Sequence, residues 1–427
     1  MKLQNIHDVE DVLYPFVLNS KLLGNKAFKL DEIKAFLEQL DNPQDKLRVI
    51  HVAGTSGKTS TSYYIASLLH SAGLTTGLTI SPHLSSITER LQINMQPISD
   101  REFCDQLEKF MPIVEKSGLT LTYFVVLVSF IYWYFAKADV DYAVVETGMG
   151  GRLDGTNTVN NPDKVCVITD IGFDHMEYLG TTLPAIAAEK AGIIHADNHV
   201  YIIEQPKEIM NVFIKRVKEV GAELHVIKEN DMVVYRRELV QEGQSYRELP
   251  DFQQRNALLA YVVVRKILKG QSLERGVTDK AFKVEIPGRM EIHKLPSGQT
   301  IILDGAHNSQ KMSALATSIQ RKFPQQSMAV LLGMKETKDF QASIDELLPI
   351  TDEAIATEFE AMQDLPIHSV EPQLLADYLV DNGVPTKVVS DYRQAVDALL
   401  DRPERLLLVT GSIYLLGQVK EYLEQTL

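Results

Sequence analysis

The sequence predicts an α/β protein with mostly parallel sheets, built as a larger domain followed by a smaller one. Three observations carry that reading. Short β-branched runs alternate with helical stretches along nearly the whole chain. The strand-like runs are continuously apolar, as strands covered on both faces are. The length of 427 residues exceeds what a single core ordinarily fills. Val49–Ala53, Thr76–Ile80, Tyr142–Glu146, Val165–Asp170 and Val200–Ile203 are predicted strands. Ser60–Ala72 is a predicted helix closed by Gly73. Strands separated by helices in this way form parallel sheets with helices on both sides. A polar break, Lys294-Leu295-Pro296-Ser297-Gly298, precedes a second series of strands at Thr300–Leu303, Met328–Leu332, Glu353–Thr357 and Leu406–Val409, ending in a helix over Ile413–Leu423. Domains of 1–295 and 296–427 are therefore expected.

Composition narrows the function classes. A hydrophobic content of 45% with 23% charged residues is that of a globular chain. The net charge of -14 speaks against nucleic-acid or anionic-membrane binding by the molecule as a whole. The two cysteines, Cys104 and Cys166, provide neither a disulfide framework nor a thiolate zinc site and fit a reducing cytoplasm. The apolar run Leu121–Ala136 contains three tyrosines and falls short of the roughly 20 residues a membrane span needs, so a buried helix is expected there. No large exposed apolar face is legible, which points to a monomer.

The chemistry begins at Gly54-Thr55-Ser56-Gly57-Lys58-Thr59-Ser60. This segment follows a predicted strand and opens a predicted helix, the setting of a phosphate-binding loop. Glycines let the backbone wrap an anion while helix N–H groups point at it. Lys58 supplies a cation for the terminal phosphates, and Thr59 or Ser60 a hydroxyl near a metal. The strict G-x-x-x-x-G-K-[ST] pattern is not met, because Val52 stands where its first glycine falls.

Phosphoryl transfer needs its charge neutralised, and the ligands for that should sit at the carboxyl ends of neighbouring strands. Ser81, Glu146, Asp170, Asp174 and His175 all occupy such ends. Magnesium suits this oxygen-rich set, while the imidazole leaves manganese open. Each residue taken singly has an ordinary alternative, a surface carboxylate or a hydrogen-bonded histidine. Lys190, within Ala-Glu-Lys-Ala-Gly-Ile, reads by itself as a solvated helical lysine.

Taken together and in order, LDNPQDKLRVIHVAGTSGKTS, SPHLSSITERLQI, VVETGMGGRLDGTN, ITDIGFDHMEYLG, AAEKAGI, PGRMEI, ILDGAHN and VTGSIYLLG resemble the folylpolyglutamate synthase/dihydrofolate synthase family, relatives of the Mur ligases. The resemblance implies a Mur-ligase-like P-loop domain, a smaller Rossmann-like domain and an ATP-driven ligase adding L-glutamate to a folate. It implies two magnesium ions, with Ser81, Glu146 and His175 as ligands and a carbamylated Lys190 supporting the second. Asn256, Arg289 and Asp304 resemble nucleotide contacts, and His307 and Ser412 resemble residues near the incoming glutamate. Thr122, Phe124, Leu153 and Asp154 fall on positions that border the folate pocket.

Several positions depart from the family pattern. Ser56 and Thr59 replace an Asn and a Gly of its phosphate loop, Val125 replaces a Glu, and Phe28-Lys29-Leu30-Asp31-Glu32 replaces a Gly-Leu-Glu-Arg-like stretch. Thr59 and Val125 keep open a Mur-type ligase acting on another carboxylate. A nucleotide-binding protein without ligase chemistry is the alternative of a different class.

Overall fold

The computed structural model describes residues 2–23, 30–268, 273, 276–363 and 366–426. Phe28 and Lys29 of the divergent N-terminal segment lie outside these residues. The chain divides into two compact units, Met1–Leu249 with Gln253–Val284, and Pro250–Phe252 with Glu285–Leu427.

The first unit is built on β1 (Val49–Ala53), β2 (Thr76–Thr79), β3 (Gln92–Ile93), β4 (Gln96–Pro97), β5 (Tyr142–Glu146), β6 (Val165–Ile168), β7 (His199–Ile203) and β8 (Glu223–Ile227). They form one sheet in the order β4-β3-β2-β5-β1-β6-β7-β8. All pairs from β2 to β8 are parallel, and only the short β3 and β4 run antiparallel. Every residue of β1 is buried, which is why it reads as an unbroken run without alternation. On one face of the sheet, Val49, Ala143 and Val145 pack with Ile33, Phe36, Phe103, Phe110 and Phe130. Further along the same face, Ala53, Cys166 and Ile168 pack with Ile186, Ala187, Ile209 and Phe213.

The apolar run at 121–136 forms the helix Tyr123–Lys137, and no helix of the described residues is long and apolar enough to cross a membrane. The Phe130 ring lies 5.3 Å from both Phe103 and Phe110, so the helix is apolar all round because neighbours enclose it. The helix Lys58–Ser71 starts two residues before the sequence prediction. Gly57, left-handed at φ 87°, ends the loop and lets the helix begin at once.

The second unit has its own sheet and core. Its strands are β9 (Glu291–Lys294), β10 (Thr300–Leu303), β11 (Met328–Leu332), β12 (Glu353–Ala356), β13 (Glu360–Met362), β14 (Pro366–His368), β15 (Thr386–Val388) and β16 (Leu406–Thr410). The sheet order is β15-β12-β11-β16-β10-β9, parallel except for β9, with β13 and β14 paired separately. Residues 294–298, where the sequence suggested a domain border, make the turn between antiparallel β9 and β10, inside this unit. Gly and Pro mark hairpin turns as readily as linkers.

Candidate active site

Strand order assembles the site. The sequence β2-β5-β1-β6 lines up the carboxyl ends of four parallel strands. Ser81 follows β2, Glu146 closes β5, the phosphate loop follows β1, and Asp170 to His175 follow β6. Gly54 and His175, 121 positions apart, thus share one edge of the sheet, the edge where open α/β sheets bind ligands.

The phosphate loop is held by β6 rather than by itself. Thr55 N and Ser56 N donate to the Asp170 carbonyl at 2.8 and 3.2 Å, and Thr55 Oγ1 donates to Gly172 O at 3.0 Å. Lys58 Nζ donates to Gly54 O at 3.3 Å, which folds its charge over the loop. Beyond the loop the helix Lys58–Ser71 begins, and first-turn N–H groups have no intrahelical acceptor. Both glycines are required by close approach. A Cβ on Gly54 would meet Thr169 Oγ1 at 1.8 Å, and one on Gly57 would meet Asn256 Oδ1 at 2.3 Å. The Asn256 amide therefore lies directly over the loop. Gly57→Ala adds a clash to a left-handed backbone, and nucleotide affinity measured by calorimetry is expected to fall at least about tenfold, from roughly 1–2 kcal/mol of strain.

Glu146 is buried at 3% exposure. Its carboxylate accepts from Thr59 Oγ1 at 2.9 Å and from Ser81 N at 3.3 Å. The Ser81 Oγ beside it is buried with no hydrogen-bond partner. An orphaned hydroxyl next to a buried carboxylate and a threonine hydroxyl is a donor set that fits a hard divalent cation. His175 stands two strands away on the β6 loop, left-handed at φ 50°, with Nε2 3.9 Å from Asp174 Oδ1.

Asp170, a candidate ligand by its place in the sequence, is otherwise engaged. Its carboxylate takes Arg255 in a fork, Nε at 3.1 and 3.0 Å and a terminal nitrogen at 2.9 Å. Arg255 thus ties the helix Asp251–Ile267, which carries Asn256, to the residue whose carbonyl holds the phosphate loop. Arg255 adjoins Asn256, but its pairing with Asp170 spans 85 positions and leaves no local signal in the sequence.

Lys190 is not the solvated lysine that its helix suggested. It is 3% exposed, on the helix Leu183–Ala191. A Cβ on Gly151 would come within 3.1 Å of its Cα, so the loop 151–157 packs directly on that helix. Arg152 fastens the same contact through Glu189 at 2.7 Å. Asp154 is turned into its own loop, accepting from Met149 N at 2.8 Å and from Thr156 N at 3.0 Å. Burial pushes its carboxyl up, while these hydrogen bonds oppose the shift. The Phe124 ring fills the space over Gly148 and Gly155, Thr122 is buried beside it in sequence, and Leu153 is 41% exposed at the loop tip.

Two buried histidines were not singled out in the sequence. His51, in β1, lies 2.9 Å from Thr156 Oγ1 and 3.0 Å from Thr147 Oγ1. His83 accepts at Nδ1 from the buried Arg90 Nε at 2.9 Å. Burial holds both imidazoles well below the ordinary 6.5, with cations adding to the effect. Only the unfolded chain takes up those protons just below pH 6.5, so stability from these groups is present above that value and lost as pH falls toward the depressed folded values. Each should add a slope of about 1.4 kcal/mol per pH unit in that window. Urea unfolding from pH 7.5 down to 5.5 checks this, with His51→Gln expected to flatten the dependence.

In the second unit, Asp304 follows β10 and accepts from Met290 N at 2.7 Å and Ala306 N at 2.8 Å. Burial raises its carboxyl, and the nearby Arg289 guanidinium opposes that. His307 donates from Nδ1 to Gly305 O at 2.9 Å, leaving Nε2 to accept from Lys311 Nζ at 2.9 Å. Ser412 follows β16, next to β10, and its Oγ accepts from Tyr414 N at 3.2 Å. Gly411 N donates to Ala306 O at 3.0 Å, so the loops bearing His307 and Ser412 are joined.

A phosphate loop at the carboxyl edge of a parallel sheet defines the first unit as a nucleotide-binding α/β domain. The chain matches the Mur ligase middle domain over residues 52–259 and the dihydrofolate synthetase C-terminal domain over residues 289–424. It is 31% identical to the dihydrofolate synthase/folylpolyglutamate synthase of Mycobacterium tuberculosis, covering 92% of this chain and 89% of that one. The chain belongs to the dihydrofolate synthase/folylpolyglutamate synthase family. The structure of M. tuberculosis folylpolyglutamate synthase with ADP and AMPPCP superposes at a TM-score of 0.80, with 28% identity over 96% of this chain and 98% of that one. The bifunctional synthase of Yersinia pestis complexed with AMPPNP and Mn ion superposes at 0.76, with 26% identity over 93% of each chain.

Proposed function

We propose that this chain is a monomeric, ATP-dependent ligase that joins the amino group of L-glutamate to a carboxylate of a folate, releasing ADP and phosphate. Tetrahydrofolate is the principal acceptor, and dihydropteroate is a second, which the match to a dihydrofolate synthetase domain supports. The observation that carries the reading is the buried Glu146. It accepts from the phosphate-loop hydroxyl of Thr59 and from Ser81 N, beside the orphaned Ser81 Oγ.

A carboxylate is a poor electrophile, and amide formation in water is uphill. Transfer of the γ-phosphoryl group to the folate carboxylate makes an acyl phosphate with a good leaving group, and the glutamate amine then displaces phosphate. Lys58 and the first-turn amides hold the nucleotide phosphates and meet the charge that develops on the moving group. Asn256, fixed by its neighbour Arg255, closes over the loop. Ser81, Glu146 and His175 would hold magnesium, which supplies electrostatic neutralisation of the phosphates. A carbamylated Lys190 would present an anionic oxygen to a second ion where a free ammonium repels it. Extra density on Lys190 Nζ in a nucleotide- and metal-loaded crystal supports that role, and a bare amine there removes it. Arg289 and Asp304 are assigned to the nucleotide, His307 and Ser412 to glutamate, and Thr122, Phe124, Leu153 and Asp154 to the folate side.

The deciding experiment measures ADP release with glutamate while comparing tetrahydrofolate, dihydropteroate and no acceptor. Release that needs both glutamate and a folate is expected. Full turnover in the absence of either one overturns the ligase reading.

A further inference from the structure

The amino-terminal edge of the same sheet, opposite the phosphate loop, carries a second group of ligating side chains. His199 opens β7, and Glu223 opens β8, the outermost strand on that side. The register pairs His199 with Glu223 and Tyr201 with His225, which places all four on one face of the strand pair. Tyr201 stacks flat on the His225 ring at 4.5 Å between centroids and fixes its orientation.

Two ring nitrogens and both oxygens of one carboxylate meet there. His199 Nδ1 lies 3.3 Å from His225 Nε2 and 3.2 Å from a Glu223 carboxylate oxygen, and His225 Nε2 lies 3.4 Å from the other oxygen. Protons do not satisfy all three contacts. Each ring nitrogen carries at most one proton and the ionised carboxylate carries none, so at least one of the three contacts is left without a hydrogen bond. If both nitrogens are protonated toward the carboxylate, two donors face each other at 3.3 Å. A metal ion held by both ring nitrogens and the carboxylate needs no proton in any of these contacts. Ligands at about 2.0–2.1 Å from a tetrahedral zinc lie about 3.3–3.4 Å from one another. The nitrogen–nitrogen spacing of 3.3 Å is of that size, and each nitrogen faces its own oxygen of Glu223.

We infer that His199, Glu223 and His225 form a binding site for a divalent transition-metal ion of the zinc class, which clips the edge strand β8 to β7. Two imidazoles and one carboxylate select zinc, cobalt, nickel or copper(II) over magnesium and calcium, which prefer all-oxygen shells. The fourth position is open to water. Since the site lies at the opposite end of the strands from Glu146 and the phosphate loop, its occupancy is separate from the ligase metals. Its effect is to stabilise the folded unit by mass action.

The test uses the full-length untagged chain with saturating magnesium and ADP, so that the nucleotide site is filled. Zinc chloride alone is titrated calorimetrically, and cobalt(II) is followed by its visible absorption. The wild type should take up zinc, give the intense absorption of tetrahedral cobalt(II), and unfold at a higher temperature with zinc present. His225→Gln and Glu223→Gln should each weaken zinc binding at least about tenfold, since even outer partners of metal ligands contribute 10–100-fold. Both variants should keep ligase activity in magnesium without zinc. Equal zinc affinity in the wild type and both variants, or none in the wild type, overturns the proposal. Unfolding midpoints without zinc identify a variant that has failed to fold, in which case the other one decides.

Discussion

Lys58→Ala is expected to lower folate- and glutamate-dependent ADP release by about 10³-fold, the scale on which single preorganised charge-stabilising groups act. The reason lies in the loop. Lys58 Nζ is drawn over the backbone by Gly54 O at 3.3 Å, which places the cation at the loop. The Lys58 ammonium donates to a backbone oxygen rather than to a side chain, and its loss should spare the fold. A steady-state assay with both substrates saturating reads the effect, and a thermal unfolding midpoint close to wild type shows that the loss is chemical. A variant that turns over near the normal rate would place the phosphate site elsewhere.

Glu146→Gln is expected to lower kcat by about 10²–10³-fold and to shift metal dependence to higher concentration, since a bound cation supplies several kcal/mol of charge stabilisation. The glutamine is nearly isosteric and its amide oxygen still accepts from Thr59 Oγ1 or Ser81 N, so the local hydrogen bonds largely survive. What disappears is the negative charge at 3% exposure. Titrating magnesium against rate separates the two effects: a weakened metal site recovers part of its rate as magnesium rises. An unchanged magnesium profile would show that Glu146 serves only to brace the loop.

Much of this site was legible without coordinates. The phosphate loop announced itself through its glycines and Lys58, set between a strand and a helix. Glu146 and Ser81 were legible because strand ends are where a parallel sheet gathers ligands. Strand limits in the sequence and the structure differ by one or two residues, as at Val165–Ile168. Less visible was anything that depended on which strands become neighbours. Asp170 looked like a metal ligand until Arg255 was found to hold it, and Lys190 looked solvated until the loop 151–157 was found packed on its helix. His51, His83 and Arg90 carry no local pattern, because a buried polar side chain reads the same in sequence as an exposed one.

The sequence by itself determined the class of fold, the glycine-rich loop between a strand and a helix, and the edge of the sheet on which the proposed chemistry falls. These follow from hydrophobic periodicity and from backbone requirements of glycine and helix starts, which act over a few neighbouring residues. Only the tertiary structure decided that 294–298 is a hairpin turn, that Arg255 braces the phosphate loop through Asp170, and that His199, Glu223 and His225 meet at one point. Each depends on strand order and register, which long-range packing fixes and local composition does not record.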